Sequence, residues 1–556
     1  MPRSMHKPFL ALAAAFLATS IATAASANTL IHNANGIQVD ASGNISRFAG
    51  LLINDDGKVE RLVRADEPQP GATRRVDAGG KTLLPGLIDA HGHVMALGFG
   101  ALQLDLTGST SLADLQARLK AYAAANPGAG WIQGRGWNQE LWPDRRFPTA
   151  ADLDAVVSDR PVWLGRVDGH AAIGNNAALR AAGIAAATQA PAGGRIEDGL
   201  FVDAAMALVE SKIPPPTPAM ADAALAKAQA LMLSTGLTAA ADMGTSAEDW
   251  AAMNRAGQAG TLHVRILGYA GGVPSLRAIN HGRPSKWLYG DRLRLVGTKL
   301  YADGALGSRG AWLKAPYRDR PESRGLSLIN DEELLKQASE ASANGGQLAI
   351  HAIGDAANAQ VIGMFEKLNA VRPGDRRWRI EHVQIIDPAD ISRLKSAGII
   401  ASMQPTHQTS DRTMAEARLD SPRLKGAYAW RTIERSGARL AFGSDFPVES
   451  PNPFPGLAAT VSRQDMNGQP PGGWLAEERL SFAAALNGFT RGAAYAGFAE
   501  SHIGSLAPGK WADFILIDRD PTAIDAQALA RTQVLETWVA GRKVSPPSAG
   551  RGERGR

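Results

Sequence analysis

The sequence predicts an α/β protein: a (β/α)8 TIM barrel, a composite β-sandwich-like domain drawn from both termini, and an inserted subdomain. Three observations predict it. From residue 236 onward short apolar runs alternate with helical patterns, as in a parallel sheet with crossover helices. With the earlier run Leu83–Ala90 the strand count reaches eight, which closes a barrel. Several of these runs end in histidine or aspartate, on the face where parallel barrels carry their sites.

Taken in chain order, Arg3 and Lys7 precede the apolar run Phe9–Ala25, and Ala25-Ser26-Ala27 supplies small residues for cleavage. Residues 1–27 therefore read as a secretory signal, and the mature protein is expected to be exported, periplasmic or secreted, without stable membrane insertion. Segments 28–82 and 503–544 hold short alternating runs such as Gly36–Asp40, Phe48–Asn54, Ala512–Asp518 and Val534–Gly541, and form the composite β-domain. Segments 83–99 and 236–502 form the barrel. Its later strands are Leu237–Met243, Val264–Tyr269, Leu295–Ala302, Leu348–Ile353, Trp378–Ile385, Ile399–Pro405 and Leu440–Phe446, with helices at Asp331–Ala343, Asn358–Leu368 and Pro388–Ala397. Residues 100–235 are too many for one crossover and read as a subdomain inserted over the barrel mouth, with a helix at Ser111–Ala125. Residues 545–556, rich in Pro, Gly and Arg, read as a disordered tail.

Composition narrows the chemistry. No cysteine occurs, which excludes disulfides, thiol nucleophiles and thiolate metal sites, so any metal must bind histidine, carboxylate or a modified side chain. The formal charge of +5 reflects mainly the leader and the tail, where Arg551, Arg554 and Arg556 outnumber Glu553, and the folded body is nearly neutral. No basic cluster interleaved with aromatics marks a nucleic-acid face. Gly504–Lys510 has Walker spacing, but Trp511 stands where Ser or Thr is required. The expected partner is a small-molecule substrate, and the sequence is compatible with a monomer or a homodimer.

The strand ends carry the functional reading. The first strand ends in Asp89-Ala-His91-Gly-His93, where a period of two puts both imidazoles on one side. His351 ends the fifth strand, His382 the sixth and Asp445 the eighth, so four of the eleven histidines can converge. Neutral imidazoles with a carboxylate suit zinc or a related divalent ion, and an open coordination position makes such a site catalytic. Lys299, near the end of the fourth strand, reads either as a cation partnered by Asp303 or, if carboxylated to N6-carboxylysine, as an anionic bridge between two ions. His407 at the end of the seventh strand, Asp168 and His170 in Arg166–His170, and Trp137 are candidate substrate-binding residues, with core packing the alternative for Trp137 and its neighbour Trp142. Glu381 reads as a buried partner of the site.

These residues sit in motifs that resemble the metal-dependent amidohydrolase superfamily, and within it amidohydrolase family 3, the YtcJ-like branch. The motifs are Gly86–His93, Lys299–Gly304, Ala349–Asp355, Arg379–His382, Met403–His407, Phe442–Pro447 and Gly504–Asp513, in family order across most of the chain. The resemblance implies His91, His93, His351, His382 and Asp445 as the metal and catalytic set, with carboxylated Lys299 as a bridge. It implies hydrolysis of a non-peptide carbon–nitrogen bond, in an N-acyl, N-formyl or cyclic amide, by metal-activated hydroxide with Asp445 as general acid and base. A one-metal deaminase of the same superfamily and a non-catalytic metal-containing solute-binding protein are the alternatives.

Overall fold

The computed structural model describes residues 28–545 except 129, 140–141, 167–170, 186, 192–193 and 204. The expected leader, the tail beyond Ser545, and the candidates Asp168 and His170 lie outside the described residues, while Ser545 itself ends a strand. No described helix is long and apolar enough to cross a membrane.

Eight parallel strands make the barrel: β1 (Leu87–Gly92), β2 (Leu237–Thr245), β3 (Arg265–Gly271), β4 (Leu293–Tyr301), β5 (Gln347–Ala352), β6 (Arg379–His382), β7 (Ile400–Met403) and β8 (Arg439–Phe442). β1 to β8 pair in sequence order. The strands are apolar on both faces because helices cover the outside and side-chain layers fill the inside. The ring is drawn together between β8 and β1 by side-chain and main-chain bonds beyond the strand ends. The Ser444 hydroxyl and amide donate to Asp89 Oδ2 at 2.6 and 3.0 Å, and the Asp445 amide donates to the His91 carbonyl at 2.7 Å. Gly443 is needed here, since a Cβ would stand 2.3 Å from Asp89 Oδ1 and 2.5 Å from the His91 nitrogen.

The first apolar run is two strands, not one. Thr82–Pro85 pairs antiparallel with Phe514–Ile517, while β1 begins at Leu87. Gly86 divides them: its amide donates to the Asp513 carbonyl at 2.8 Å, and a Cβ would meet the Thr238 side chain at 2.3 Å. One glycine between two apolar strands leaves no turn cluster to mark the break. Through Thr82–Pro85 the two termini share a six-stranded sheet, ordered 542–545, 534–539, 514–517, 82–85, 35–39, 45–48. A four-stranded sheet of 59–63, 50–53, 29–32 and 74–77 completes the terminal β-structure.

Within 100–235 lies a six-stranded mixed sheet with its own core of Leu115, Leu119, Trp137, Trp142, Leu153 and Leu164. The helix Leu112–Ala125 starts at Ser111, whose hydroxyl accepts from the Asp114 amide. The last helix of the interval, Pro218–Ser234, packs instead with the barrel: Leu225, Ala228 and Met232 share the main core with Val94 and Leu237. Its closeness to Val94–Leu102 requires Gly98, where a Cβ would fall 2.0 Å from the Ala224 carbonyl oxygen.

Candidate metal centre at the barrel mouth

The C-terminal ends of the strands open into a cavity of about 540 Å³ lined by His91, His93, Lys299, His351, His382 and His407, with Asp445 among them. Among the described residues the tightest cluster with metal-ligand chemistry is His91, His382 and Asp445, all buried, with ligand atoms within 4.8 Å of one another. His93 Nε2 stands 3.0 Å from Asp445 Oδ1, and the His351 ring centroid 4.5 Å from that of His382. Lys299 is 1% exposed, with Nζ 3.1 Å from His91 Nε2.

Neighbouring side chains fix each ring. His91 Nδ1 lies 2.6 Å from Glu381 Oε2, so it carries the proton and Nε2 is left as a lone-pair donor. Glu381 is gripped in turn by Arg379, whose Nε donates to Oε1 at 2.7 Å and whose Nη1 and Nη2 donate to the Tyr269 and Ser402 hydroxyls. Burial opposes its ionisation, but the Arg379 and His91 contacts outweigh burial and hold Glu381 charged. Gln404 Oε1 accepts from His382 Nδ1 at 2.8 Å, leaving His382 Nε2 free to ligate. His382 and Asp445 have left-handed backbones, φ 80° and 59°, strained geometry that concentrates at functional sites.

The electrostatics suit a cation. Burial, assisted by the Lys299 charge, pulls His91 down to about 4 and His351 to about 3, and burial with the neighbouring imidazoles carries His382 well below its usual range. Neutral imidazoles are the form that binds metal. Burial pushes Asp445 up, but His91, the His93 contact and His382 prevail, and its carboxyl stays well below the usual range. Asp445 Oδ1 is thereby a buried anion that accepts no hydrogen bond although His91 and His93 Nε2 lie 3.5 and 3.0 Å away. The lone pair that Glu381 leaves on His91 Nε2 faces this anion, and a divalent ion resolves that conflict.

His407 stands on the cavity wall, its ring stacked 6.1 Å from His382. Gln384 Nε2 donates to its Nδ1 at 3.1 Å, so Nε2–H is a donor; it is buried, makes no hydrogen bond and faces Asp445 Oδ2 at 3.9 Å. Trp137 does not line this cavity. It is fully buried in the core of the inserted sheet and donates from Nε1 to the Leu164 carbonyl at 2.8 Å. Asp303 serves the loops, accepting from the Trp312, Ile353 and Gly354 amides, and makes no pair with Lys299.

The motifs Arg379–His382, Met403–His407 and Phe442–Pro447 contain Arg379, Gln404 and Ser444 without revealing their roles, and Gln384 lies in none of them. Gln384 and Gln404 do carry a signal: each stands close after a strand-end residue, Gln384 two positions beyond His382 and Gln404 directly after Met403.

Comparison with known proteins agrees with this geometry. The model of a family described as "Amidohydrolase family" matches residues 74–545. The amidohydrolase YtcJ of Bacillus subtilis is 33% identical over 89% of this chain and 94% of its own. An N-substituted formamide deformylase of Arthrobacter pascens is 26% identical over 92% of this chain and 97% of its own. The crystal structure of a metal-dependent hydrolase from Pyrococcus horikoshii superposes with a TM-score of 0.76 at 27% identity, covering 90% of this chain and 99% of that one.

Proposed function

The chain belongs to the amidohydrolase family, and from that premise we propose that it hydrolyses the carbon–nitrogen bond of a small N-formyl or N-acyl amine at a divalent metal site in the barrel mouth. The observation that carries this reading is Asp445 Oδ1, buried and ionised without a hydrogen bond while two imidazole nitrogens face it. His91, His382 and Asp445 would hold the ion, with His93 and His351 within reach of it or of a second one. A divalent ion there supplies Lewis-acid polarisation and makes water acidic near neutral pH.

The rest falls to this chain's own residues. His407 lines the cavity, and its Nε2–H, 3.9 Å from Asp445 Oδ2, would donate to the substrate carbonyl oxygen, whose negative charge grows as the carbonyl is attacked. Asp445 takes the proton of the attacking water and passes it to the leaving nitrogen. Lys299 suits carboxylation, because burial pulls its pKa to about 8 and leaves some neutral amine to add to carbon dioxide, releasing a proton and forming a carbamate. The Arthrobacter relative supports a formamide as the first substrate to try.

Chelation should abolish turnover of N-formyl and N-acyl chromogenic amines, and zinc or manganese should restore it. Full activity in the chelated protein overturns the reading. Metal analysis then separates one ion per chain from two.

A further inference from the structure

A second cavity, of about 620 Å³, lies at the N-terminal end of the barrel, away from the metal centre. Three parts of the chain frame it: residues 437–440, which lead into β8, the hairpin turn 40–43 of the terminal sheet, and the helical stretch 482–496. That stretch contains a π-helical turn, Gly488–Gly492, a rare local geometry that recurs at functional sites. Its two glycines press it onto β8. A Cβ on Gly492 would stand 2.6 Å from the Leu440 carbonyl oxygen, and one on Gly488 would enter the Phe442 ring. Asn487 and Arg491 are left to line the cavity.

Among the described residues four cations line it: Lys395, Arg439, Arg491 and Lys510. The Arg439 guanidinium lies 4.1 Å from the Tyr495 ring, which also carries the Arg377 guanidinium at 3.8 Å. Arg377 is paired with Asp375 and Glu500, whereas Arg439 makes no hydrogen bond or ion pair with a described residue. Stacking therefore holds its planar fork while its donors stay unused. Arg491 has no such partner either. Lys510 gives one donor to the Ser505 hydroxyl at 2.8 Å, and burial, then the charge of Arg491, pull its pKa down against Glu500. The carboxylates of the cavity do not answer these charges. Glu500 is taken by Arg377, and Asp40 Oδ1 accepts the Ser42 and Asn44 amides and the Ser42 hydroxyl inside its own turn. Glu434 pairs with none of the four cations; burial pushes its pKa up, and the charge of Arg431 opposes.

From this layout we propose that the cavity binds the phosphate ester of a small hydroxylated molecule, with Arg439, Arg491 and Lys510 on the phosphate and Glu434, Ser481 and Asn487 on the hydroxylated body. A phosphate dianion relieves the repulsion between Arg491 and Lys510 and matches the donor fork of a stacked guanidinium. Hydroxyl groups on the body supply donors to Glu434, which a second anionic group would not. The volume exceeds what a phosphate alone fills and lies in the range of small-molecule sites. This site is separate from the metal centre and does not depend on the hydrolytic reading.

Calorimetry of the metal-loaded full chain with glucose 6-phosphate and with glucose tests it. The phosphate ester should bind and glucose should not, and the affinity should fall as salt is raised. In Arg439→Gln/Arg491→Gln the affinity should drop by at least about tenfold, while the bound zinc stays at its wild-type level. No binding at millimolar concentration, equal binding of glucose, or binding that survives the double variant overturns the proposal. Repeating the titration on chelated protein separates the two ends of the barrel: binding that is lost with the metal and kept in the double variant belongs to the mouth and counts against this cavity. Arg491→Gln alone, which leaves the stack on Tyr495 in place, covers the case in which the double variant fails to fold. It should weaken binding severalfold, and unchanged binding overturns the proposal.

Discussion

At the N-terminal end of the barrel Arg265 and Asp513 are buried as a closed pair, whereas at the C-terminal end His91, His382 and Asp445 are buried as an open set. Arg265 opens β3 and Asp513 leads into the terminal sheet, so the pair joins the two. Its Nε and Nη2 donate to the two Asp513 oxygens at 2.6 and 2.9 Å, and its Nη1 to the carbonyls of Gly290 and Asp291. Asp513 Oδ1 also accepts the Ala540 amide, and the guanidinium lies 4.8 Å from the Trp511 ring. At the other end Asp445 Oδ1 accepts nothing, and the tautomer set by Glu381 turns a lone pair of His91 toward it. Buried charge that satisfies itself fixes a structure, and removing one member leaves the other stranded. Buried charge that lacks a counterpart marks a place for a guest.

The strongest way to break this contrast is Asp445→Asn. Turnover should fall by about 10²- to 10⁴-fold, the range for removing a general acid and base. The melting temperature should hold or rise, because an unpartnered charge is gone and Asn tolerates the left-handed backbone of residue 445. Thermal melts alongside kcat decide it, and near-normal activity would remove Asp445 from the chemistry. The counterpart is Asp513→Asn, which strands Arg265. It should cost about 3–5 kcal/mol in urea unfolding, with kcat per folded molecule unchanged, and an activity loss without destabilisation would erase the distinction between the two ends.

How far the sequence revealed each end follows from the physics of the signals. Histidines are few, and His91, His93, His351 and His382 stand at the ends of apolar runs, so a parallel barrel brings them together whatever the loops do. The closed pair was invisible, since Arg265 and Asp513 are 248 positions apart and neither residue type is unusual. Trp137 illustrates the limit for aromatics: in an inserted segment a tryptophan wall and a tryptophan core have the same composition. The division of the first apolar run at Gly86 was hidden because strand propensity continues across it and only the approach of Thr238 demands the glycine. His407 was expected at the end of the seventh strand, but that strand stops at Met403 and His407 stands in the first turn of helix Pro405–Arg418, where Pro405 opens the helix.

A smaller effect sharpens the open end. Gln404 touches His382 Nδ1 and would make no contact with an ion held at Nε2. Gln404→Leu should weaken zinc binding by about 10- to 100-fold, the usual effect of losing a partner that orients a ligand. Excess zinc should rescue activity, which separates an orienting role from a catalytic one; a variant that binds zinc as tightly as the wild type would free His382 from this contact.

The smallest effect belongs with the closed class. Trp137→Phe keeps an aromatic ring among Trp142, Phe147 and their neighbours but leaves the buried Leu164 carbonyl without the indole N–H. The expected cost is about 1–2 kcal/mol of stability. KM should not change, because residue 137 lies in the core of the inserted sheet and not on the cavity wall. A raised KM with unchanged stability would instead mean that the inserted sheet moves against the mouth during turnover, and the boundary between satisfied core and open site would have to be drawn through the insert rather than at the strand ends.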